Sequence, residues 1–203
     1  MNYDLTKFRT GDLGCCFGTS VVDDIIWAGE EIEKIRIQLL ATTKIPEHVF
    51  IIVVPQSDIE INRRGTKYNL LAKQVYVFED KVKGCEFGLL SDRYPDTANV
   101  VYLEHIIPFS DKALLEIQNR AIEGFVDSFA YGWLNFLAEI PHVITGWTFR
   151  RLRLIGSEIC SQFGAACTND GCRADNYVVV DFPHEETTNP LEVFISTKFR
   201  VKQ

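Results

Sequence analysis

The sequence lacks the clustered positive charge that nucleic-acid-binding proteins use. Its 203 residues include 21 Lys and Arg against 28 Asp and Glu, so the net charge is −7, and no run of basic residues is longer than two. Duplex DNA, RNA and anionic membranes all attract a concentrated cationic face. We therefore expect neither nucleic acid nor an anionic membrane to be a main partner.

Long apolar runs and a recognisable secretion signal are also missing. No stretch approaches the roughly 20 apolar residues that cross a bilayer, and the opening MNYDLTKFRTGDLG contains two acidic residues and no apolar run of secretory length. The sequence predicts no stable membrane insertion and a cytoplasmic location, with export after removal of a leader as the open alternative.

Repeats, low-complexity tracts and linkers rich in Pro, Gly or Ser do not occur, and neither do the GxxxxGK[ST] or GxGxxG loops that bind nucleotide phosphates. Hydrophobic residues make up 46% of the chain and aromatic residues 12%, which excludes disorder as its main state. We therefore expect one globular domain over residues 1–203.

Hydrophobic periodicity predicts an α+β fold in which strands are interleaved with segregated helices. The run HVFIIVV at 48–54 is apolar on both alternating faces, which is typical of a central strand buried on both sides. Other patterns predict a strand-like opening within 8–17, strands at 74–79, 84–90, 99–104 and 177–182, and turns at 62–65 and 91–96.

Apolar residues spaced by three and four positions predict helices at 22–40 and after Ser110, whose hydroxyl can cap the second helix. Gly124 and Gly132 are points where this second helix could break. Pro190 introduces a last short helix that ends near Ser196. The apolar side of the second helix is expected to consist of Leu114, Leu115, Ile122, Phe125 and Phe129.

The six cysteines could form three disulfides, but a domain of this size does not need them, and without a secretion signal we expect reduced thiols. One cysteine occupies a distinctive position. A further helix is predicted over 158–168 with Ser157 as its N-cap, which places Cys160 at the third helical position. Five of the six are expected to be packing residues: Cys15, Cys16, Cys85, Cys167 and Cys172.

At that position, unpaired backbone N–H groups and the helix dipole favour thiolate over thiol, so Cys160 is a candidate nucleophile. The alternative is a small buried hydrophobic residue, which is the usual role of cysteine on a core-facing helix.

Two further candidates lie at the ends of predicted strands. His48 opens the 48–54 strand on the same face as Phe50, where an imidazole serves either as a general base or as a core residue. Glu79 ends another strand, and its carboxylate could fix the tautomer of His48 as the third member of a triad does, or face water. Glu104 also ends an apolar strand and is the rival orienting residue.

Short motifs around these residues resemble a known family. SEICSQF at 157–163 is similar to the nucleophile motif of the NlpC/P60 cysteine hydrolases, and EHVFIIV at 47–53 resembles their histidine strand. The histidine precedes the cysteine, which is the order of the circularly permuted branch that includes the YiiX-like hydrolases and the lecithin:retinol acyltransferase group. GDL at 11–13, VYVFE at 75–79 and TNPLEV at 188–193 resemble the opening, acid-bearing and closing segments of the YiiX-like version.

The resemblance implies a papain-like core in which the cysteine helix packs on a small antiparallel sheet carrying His48 and Glu79. It also implies that Cys160 attacks an acyl carbon, that His48 keeps the thiol ionised and then protonates the leaving group, and that Glu79 orients His48. The chain departs from the family at Ile159, where relatives often have an aromatic residue.

Three functions remain open: a cysteine amidase or peptidase acting on cell-wall-type peptides, an acyltransferase or thioesterase acting on lipid-like acyl groups, and a binding or structural module without turnover. No metal or cofactor is expected, because Cys160, Cys167 and Cys172 lack the two-residue spacing of common zinc knuckles. The oligomeric state stays open. Three unclustered histidines are expected to be surface or core residues: His105, His142 and His184.

Overall fold

A computed structural model of the chain describes residues 4–17, 46, 48–81, 84–95, 99–127, 160–177, 182–183, 188 and 190–202. Several predictions therefore concern residues outside this set, namely the 22–40 helix, most of the 177–182 strand, Phe129, Gly132, His142, Ser157, Ile159 and His184.

The described residues form an α+β fold built on an antiparallel sheet. The helices are α1 (Leu90–Arg93), α2 (Asp111–Asp127), α3 (Cys160–Ala174) and α4 (Pro190–Ile195), and a 3₁₀ turn covers Leu5–Lys7. The strands are β1 (Leu13–Cys16), β2 (His48–Val53), β3 (Ile59–Arg63), β4 (Thr66–Leu70), β5 (Tyr76–Lys81), β6 (Gly84–Leu89), β7 (Val100–His105) and β8 (Phe199–Val201).

Six of these strands form one sheet in the order β6-β5-β2-β1-β7-β8, and every neighbouring pair is antiparallel. Leu13 of β1 lies opposite Ile51 on one side and Leu103 on the other. The strands β3 and β4 form a separate hairpin. This confirms the predicted mixture of helices with an antiparallel sheet.

The strand β2 is central and buried on both faces, as predicted. All five residues from Val49 to Val53 are 0% exposed. Val49, Ile51 and Val53 face the main core with α2 and α3, whereas Phe50 and Ile52 belong to a smaller cluster on the opposite face. An alternating strand can be apolar at every position only when both of its faces are covered.

The start of α2 is as predicted, because the Ala113 amide donates to Ser110 Oγ over 3.2 Å. Of the two possible break points, Gly124 lies within the helix, which continues to Asp127, and Gly132 lies outside the described residues. Gly124 instead admits the ring of Phe163 from α3, and a Cβ there would lie 2.4 Å from Phe163 Cε2. The glycine therefore serves a close helix crossing rather than a helix end.

The expected apolar side of α2 is also partly wrong, because Leu115 is 52% exposed. The predicted apolar stripe of α2 contains only large residues, whereas small residues permit the closest approach of α2 to α3. The buried face of α2 consists of Ala113, Ile117, Ala121, Gly124 and Phe125.

One of the two predicted turns is present, and a short helix lies in the segment of the other. The 62–65 turn is present, with Gly65 at φ 84° and its amide donating to Asn62 Oδ1 over 2.9 Å. It connects β3 and β4, which the sequence did not predict because IEINR and TKYNL are largely polar. In place of the 91–96 turn, the chain forms α1 before Tyr94.

The helix α3 is the most enclosed helix that the structure describes, with 12 of its 15 residues buried. It extends six residues past the predicted end at 168 and includes Cys167 and Cys172, both 0% exposed. Its polar side chains are bonded inside the core: Ser161 Oγ donates to the Thr188 carbonyl over 2.7 Å, and Asn169 exchanges two hydrogen bonds with the Phe182 backbone. All six cysteines of the chain are free thiols.

Among the described residues, no helix combines the length and apolar character required to cross a membrane.

Candidate active site

Two of the predicted site residues are in direct contact. His48 at the start of β2 and Glu79 near the end of β5 lie on neighbouring strands, and His48 Nε2 is 3.0 Å from Glu79 Oε2. An ionised carboxylate can only accept a hydrogen bond, so His48 Nε2 carries the hydrogen. The other ring nitrogen, Nδ1, is therefore not engaged by Glu79.

Glu79 is a fully buried carboxylate with several polar neighbours. The Tyr94 hydroxyl donates to Oε2 over 2.7 Å, and the Lys81 ammonium lies 2.8 Å from Oε1. Burial alone would raise the pKa of Glu79, but its hydrogen bond to His48 and the charge of that residue, followed by the Lys81 ammonium and the Tyr94 hydroxyl, lower the pKa to about 2. Glu79 is therefore ionised throughout the neutral pH range.

Cys160 lies at the N-terminal end of α3 and is 3% exposed. Burial opposes protonation of His48, but the interactions with Cys160, followed by those with Glu79, raise the pKa of His48 to about 10. A protonated imidazole beside the sulfur stabilises the thiolate, as the helix dipole does. Glu79 and His48 are thus joined by a hydrogen bond, and Cys160 lies close enough to His48 to raise the pKa of the imidazole.

A glycine sets the approach of the cysteine helix to the histidine strand. Gly164 lies one turn after Cys160 and packs on the β2 residue that follows His48: a Cβ at position 164 would lie 3.3 Å from Val49 Cγ1. A larger side chain would push α3 away from β2 and thus move Cys160 away from His48.

Glu104, the rival orienting residue, lies elsewhere on the sheet. It is in register with Arg200 on β8, and its carboxylate lies 2.6 Å from Arg200 Nε and 3.2 Å from Lys202 Nζ. Of the two candidate acids, Glu79 is the one that is bonded to His48. His105, which was expected to be a surface or core histidine, stacks on Phe109 with ring centroids 4.5 Å apart.

Sequence reasoning missed four residues around Glu79 and His48. Lys81 follows Glu79 by two positions on a strand, so period-two alternation could have found it. Arg93 and Tyr94 lie in and after α1, where a turn was predicted, and no local pattern identifies them. The fourth is Cys16, which was expected only to pack.

Cys16 lies opposite His48 in the β1–β2 register and is half-buried. Burial, followed by the negative charge of Glu79, raises the pKa of Cys16 to about 12, although the nearby Tyr94 hydroxyl opposes the shift. A second thiol therefore adjoins the site, but it is protonated at neutral pH.

Within the part of the chain that the structure describes, no group of three or more His, Cys, Asp or Glu residues is arranged to hold a metal ion. The arrangement at Cys160 suits nucleophilic chemistry through sulfur. No family model and no curated protein matches the chain.

Proposed function

We propose that the chain is a cysteine hydrolase that cleaves amide bonds through Cys160, His48 and Glu79, and that its fold is the permuted, papain-like one of the YiiX-like branch. The observation that carries the proposal is the hydrogen bond between the His48 imidazole and a buried, ionised carboxylate, beside a cysteine at the N-terminal end of α3 that raises the pKa of the imidazole. The packing of the cysteine helix on the histidine strand agrees with that fold.

In the proposed reaction, Cys160 Sγ attacks the carbonyl carbon and forms a C–S bond. The Cys160 backbone N–H helps to stabilise the oxyanion, and loss of one such donor lowers rates by about 10²- to 10³-fold. His48 Nδ1 donates a proton to the leaving nitrogen as the C–N bond breaks. Water then attacks the thioester, His48 accepts its proton, and the acid product leaves from sulfur.

Glu79 determines which nitrogen of His48 takes part in this chemistry. Because its carboxylate holds the hydrogen on Nε2, Nδ1 is the nitrogen that exchanges protons with sulfur and substrate. The substrate class that we propose is a peptide amide of the cell-wall type, on the basis of the family resemblance.

Alkylation with iodoacetamide at pH 7, read by peptide mass mapping, tests the state of the nucleophile. Exposure alone predicts that half-buried Cys16 reacts before Cys160, which is 3% exposed. Because the thiolate is the reactive species, we expect Cys160 to react first, by about tenfold or more. Faster labelling of Cys16, or equal labelling of the two, would favour a module without turnover.

Turnover is then measured with cell-wall-type peptide amides and long-chain acyl thioesters, and the acyl-enzyme is detected by intact mass. Cys160→Ala is expected to lose the acyl-enzyme and about 10³-fold or more in rate. Cys85→Ala is the matched control, since Cys85 is a buried thiol on β6 outside the site. Acyl transfer from the thioesters alone would assign the chain to the acyltransferase class, and turnover by Cys160→Ala would contradict the proposal.

A further inference from the structure

Tyr94 and His48 share one oxygen atom of Glu79. The Tyr94 hydroxyl donates to Oε2 over 2.7 Å, and His48 Nε2 lies 3.0 Å from the same atom. A hydrogen bond to an ionised acceptor is about twice as strong as a neutral one. The hydroxyl is therefore a strong restraint on the rotation of the carboxylate.

The other oxygen of Glu79 faces cations. Lys81 Nζ lies 2.8 Å and Arg93 Nη1 3.6 Å from Oε1. Arg93 is itself held by Glu86, at 3.0 Å, and by the Phe87 carbonyl, at 3.2 Å. The two ends of the carboxylate thus face different partners, and a rotation that exchanges the oxygens would break contacts on both sides.

The position of the Tyr94 ring is fixed from two directions. The Tyr94 backbone amide donates to the Leu90 carbonyl over 2.9 Å, and the Leu90 amide donates to the Val75 carbonyl over 2.9 Å. These two bonds attach α1 to the sheet. The Tyr94 ring stacks on Phe50 with centroids 4.5 Å apart and an interplanar angle of 22°. Phe50 in turn lies over Gly14, where a Cβ would come within 2.0 Å of Phe50 Cζ.

We propose that Tyr94 is a positioning residue: its hydroxyl fixes the rotation of Glu79 so that Oε2 accepts from His48 Nε2, which leaves His48 Nδ1 for the Cys160 thiol. This inference rests on the function proposed above, but the hydrogen bond that it concerns exists in the resting protein and can be measured without turnover.

The test uses Tyr94→Phe, which keeps the ring on Phe50 and removes only the hydroxyl. The matched control is Tyr68→Phe, which removes a hydroxyl from a ring that packs on Phe87 and Phe125 in the main core. Nitrogen-15 spectra of labelled histidine report the protonation of the two His48 ring nitrogens and the solvent exchange of its Nε2 proton. Thermal unfolding of both variants confirms that they are folded.

In Tyr94→Phe we expect the His48 Nε2 proton to exchange with solvent about tenfold faster or more. We also expect kcat to fall about tenfold with little change in KM, because the hydroxyl orients the site and does not bind substrate. Wild-type exchange and kcat are expected in Tyr68→Phe. Unchanged Nε2 exchange in folded Tyr94→Phe would overturn the positioning role, even in an active enzyme. If Cys160 does not react with iodoacetamide but the His48 Nε2 proton exchanges faster in Tyr94→Phe as expected, the proposed function is overturned and the positioning hydrogen bond from Tyr94 to Glu79 is retained.

Discussion

Glu79 shows how a single buried charge can be tolerated and used. Taking a carboxylate out of water costs several kcal/mol unless partners surround it. Here the side chain is 0% exposed and is contacted by His48, Tyr94, Lys81 and Arg93. The two cations reach partly into solvent and add to the stabilisation that His48 gives the carboxylate.

Glu79→Gln is expected to lower kcat by about a hundredfold or more, because an amide can donate to His48 Nε2 and select the wrong tautomer. Stability should change with pH as well. The pKa of Glu79 is lowered from 4.5 to about 2, so the ionised form stabilises the fold fully above pH 4.5, and this contribution is lost as the pH falls toward 2.

Urea unfolding at pH 6 and at pH 3 checks the effect on stability. Wild type should lose more stability between these two pH values than Glu79→Gln does. Glu60→Gln is the control, because Glu60 is 57% exposed and pairs only at the surface. The same pH dependence in wild type and Glu79→Gln would show that the buried carboxylate does not contribute as argued.

Among the elements, the contact between α2 and α3 depends on the absence of side chains. Gly124 of α2 makes room for Phe163, and Gly171 of α3 makes room for Ile117, whose Cδ1 would lie 2.7 Å from an added Cβ. Two helices approach closely only where small residues let the side chains of the partner enter. The same contact keeps α3 against the sheet.

Gly124→Ala is therefore expected to destabilise the protein by about 1–3 kcal/mol through overpacking, although alanine by itself favours a helix by about 1 kcal/mol. Gly164→Ala is the matched control, because its Cβ would meet Val49 Cγ1 at 3.3 Å rather than a ring at 2.4 Å. Its effect should be the smaller of the two in urea unfolding. Equal stabilisation by both substitutions would show that the crossing of α2 and α3 accommodates an added Cβ without overpacking.

The elements differ in how far the sequence could predict them. Alternation and capping predicted β2, β6, β7, the start of α2 and the extent of α4, because these signals lie within a few adjacent residues. The strands β3 and β4 are too polar for hydrophobic alternation to detect, and β8 has only three residues. For the site, position within an element and family motifs suggested Cys160, His48 and Glu79, whereas Tyr94 and Arg93 reach Glu79 only through tertiary contacts.

In the whole molecule, a nearly buried ion pair joins residues that are 190 positions apart. Lys202 Nζ lies 2.8 Å from Asp12 Oδ2, with side chains 9% and 6% exposed. Burial raises the pKa of Asp12 although Lys202 opposes the shift. The Asp12 carbonyl also accepts from the Ile52 amide over 2.8 Å, so the pair connects the residue after β8 to the centre of the sheet.

Lys202→Met is expected to destabilise the fold by about 3–5 kcal/mol at pH 7, because it leaves Asp12 buried without its cation. The cost should shrink at lower pH, where Asp12 takes up a proton. Lys67→Met is the control: its pair with Glu60 is 66% and 57% exposed, and removal of such a pair costs at most about 1 kcal/mol. Similar losses for the two variants in chemical denaturation would contradict a structural role for the buried pair.

The enclosure of α3 also determines how the site can be lost. Local opening of a protein starts where few buried contacts hold the chain, and its free energy approaches that of global unfolding in the core. Because Cys160 belongs to a helix with 12 of 15 residues buried, freeing that helix requires most of the core to open. The population of molecules in which Cys160 is not held in α3 is therefore governed by the global folding equilibrium, and substitutions far from Cys160 that weaken the core increase this population to the same extent.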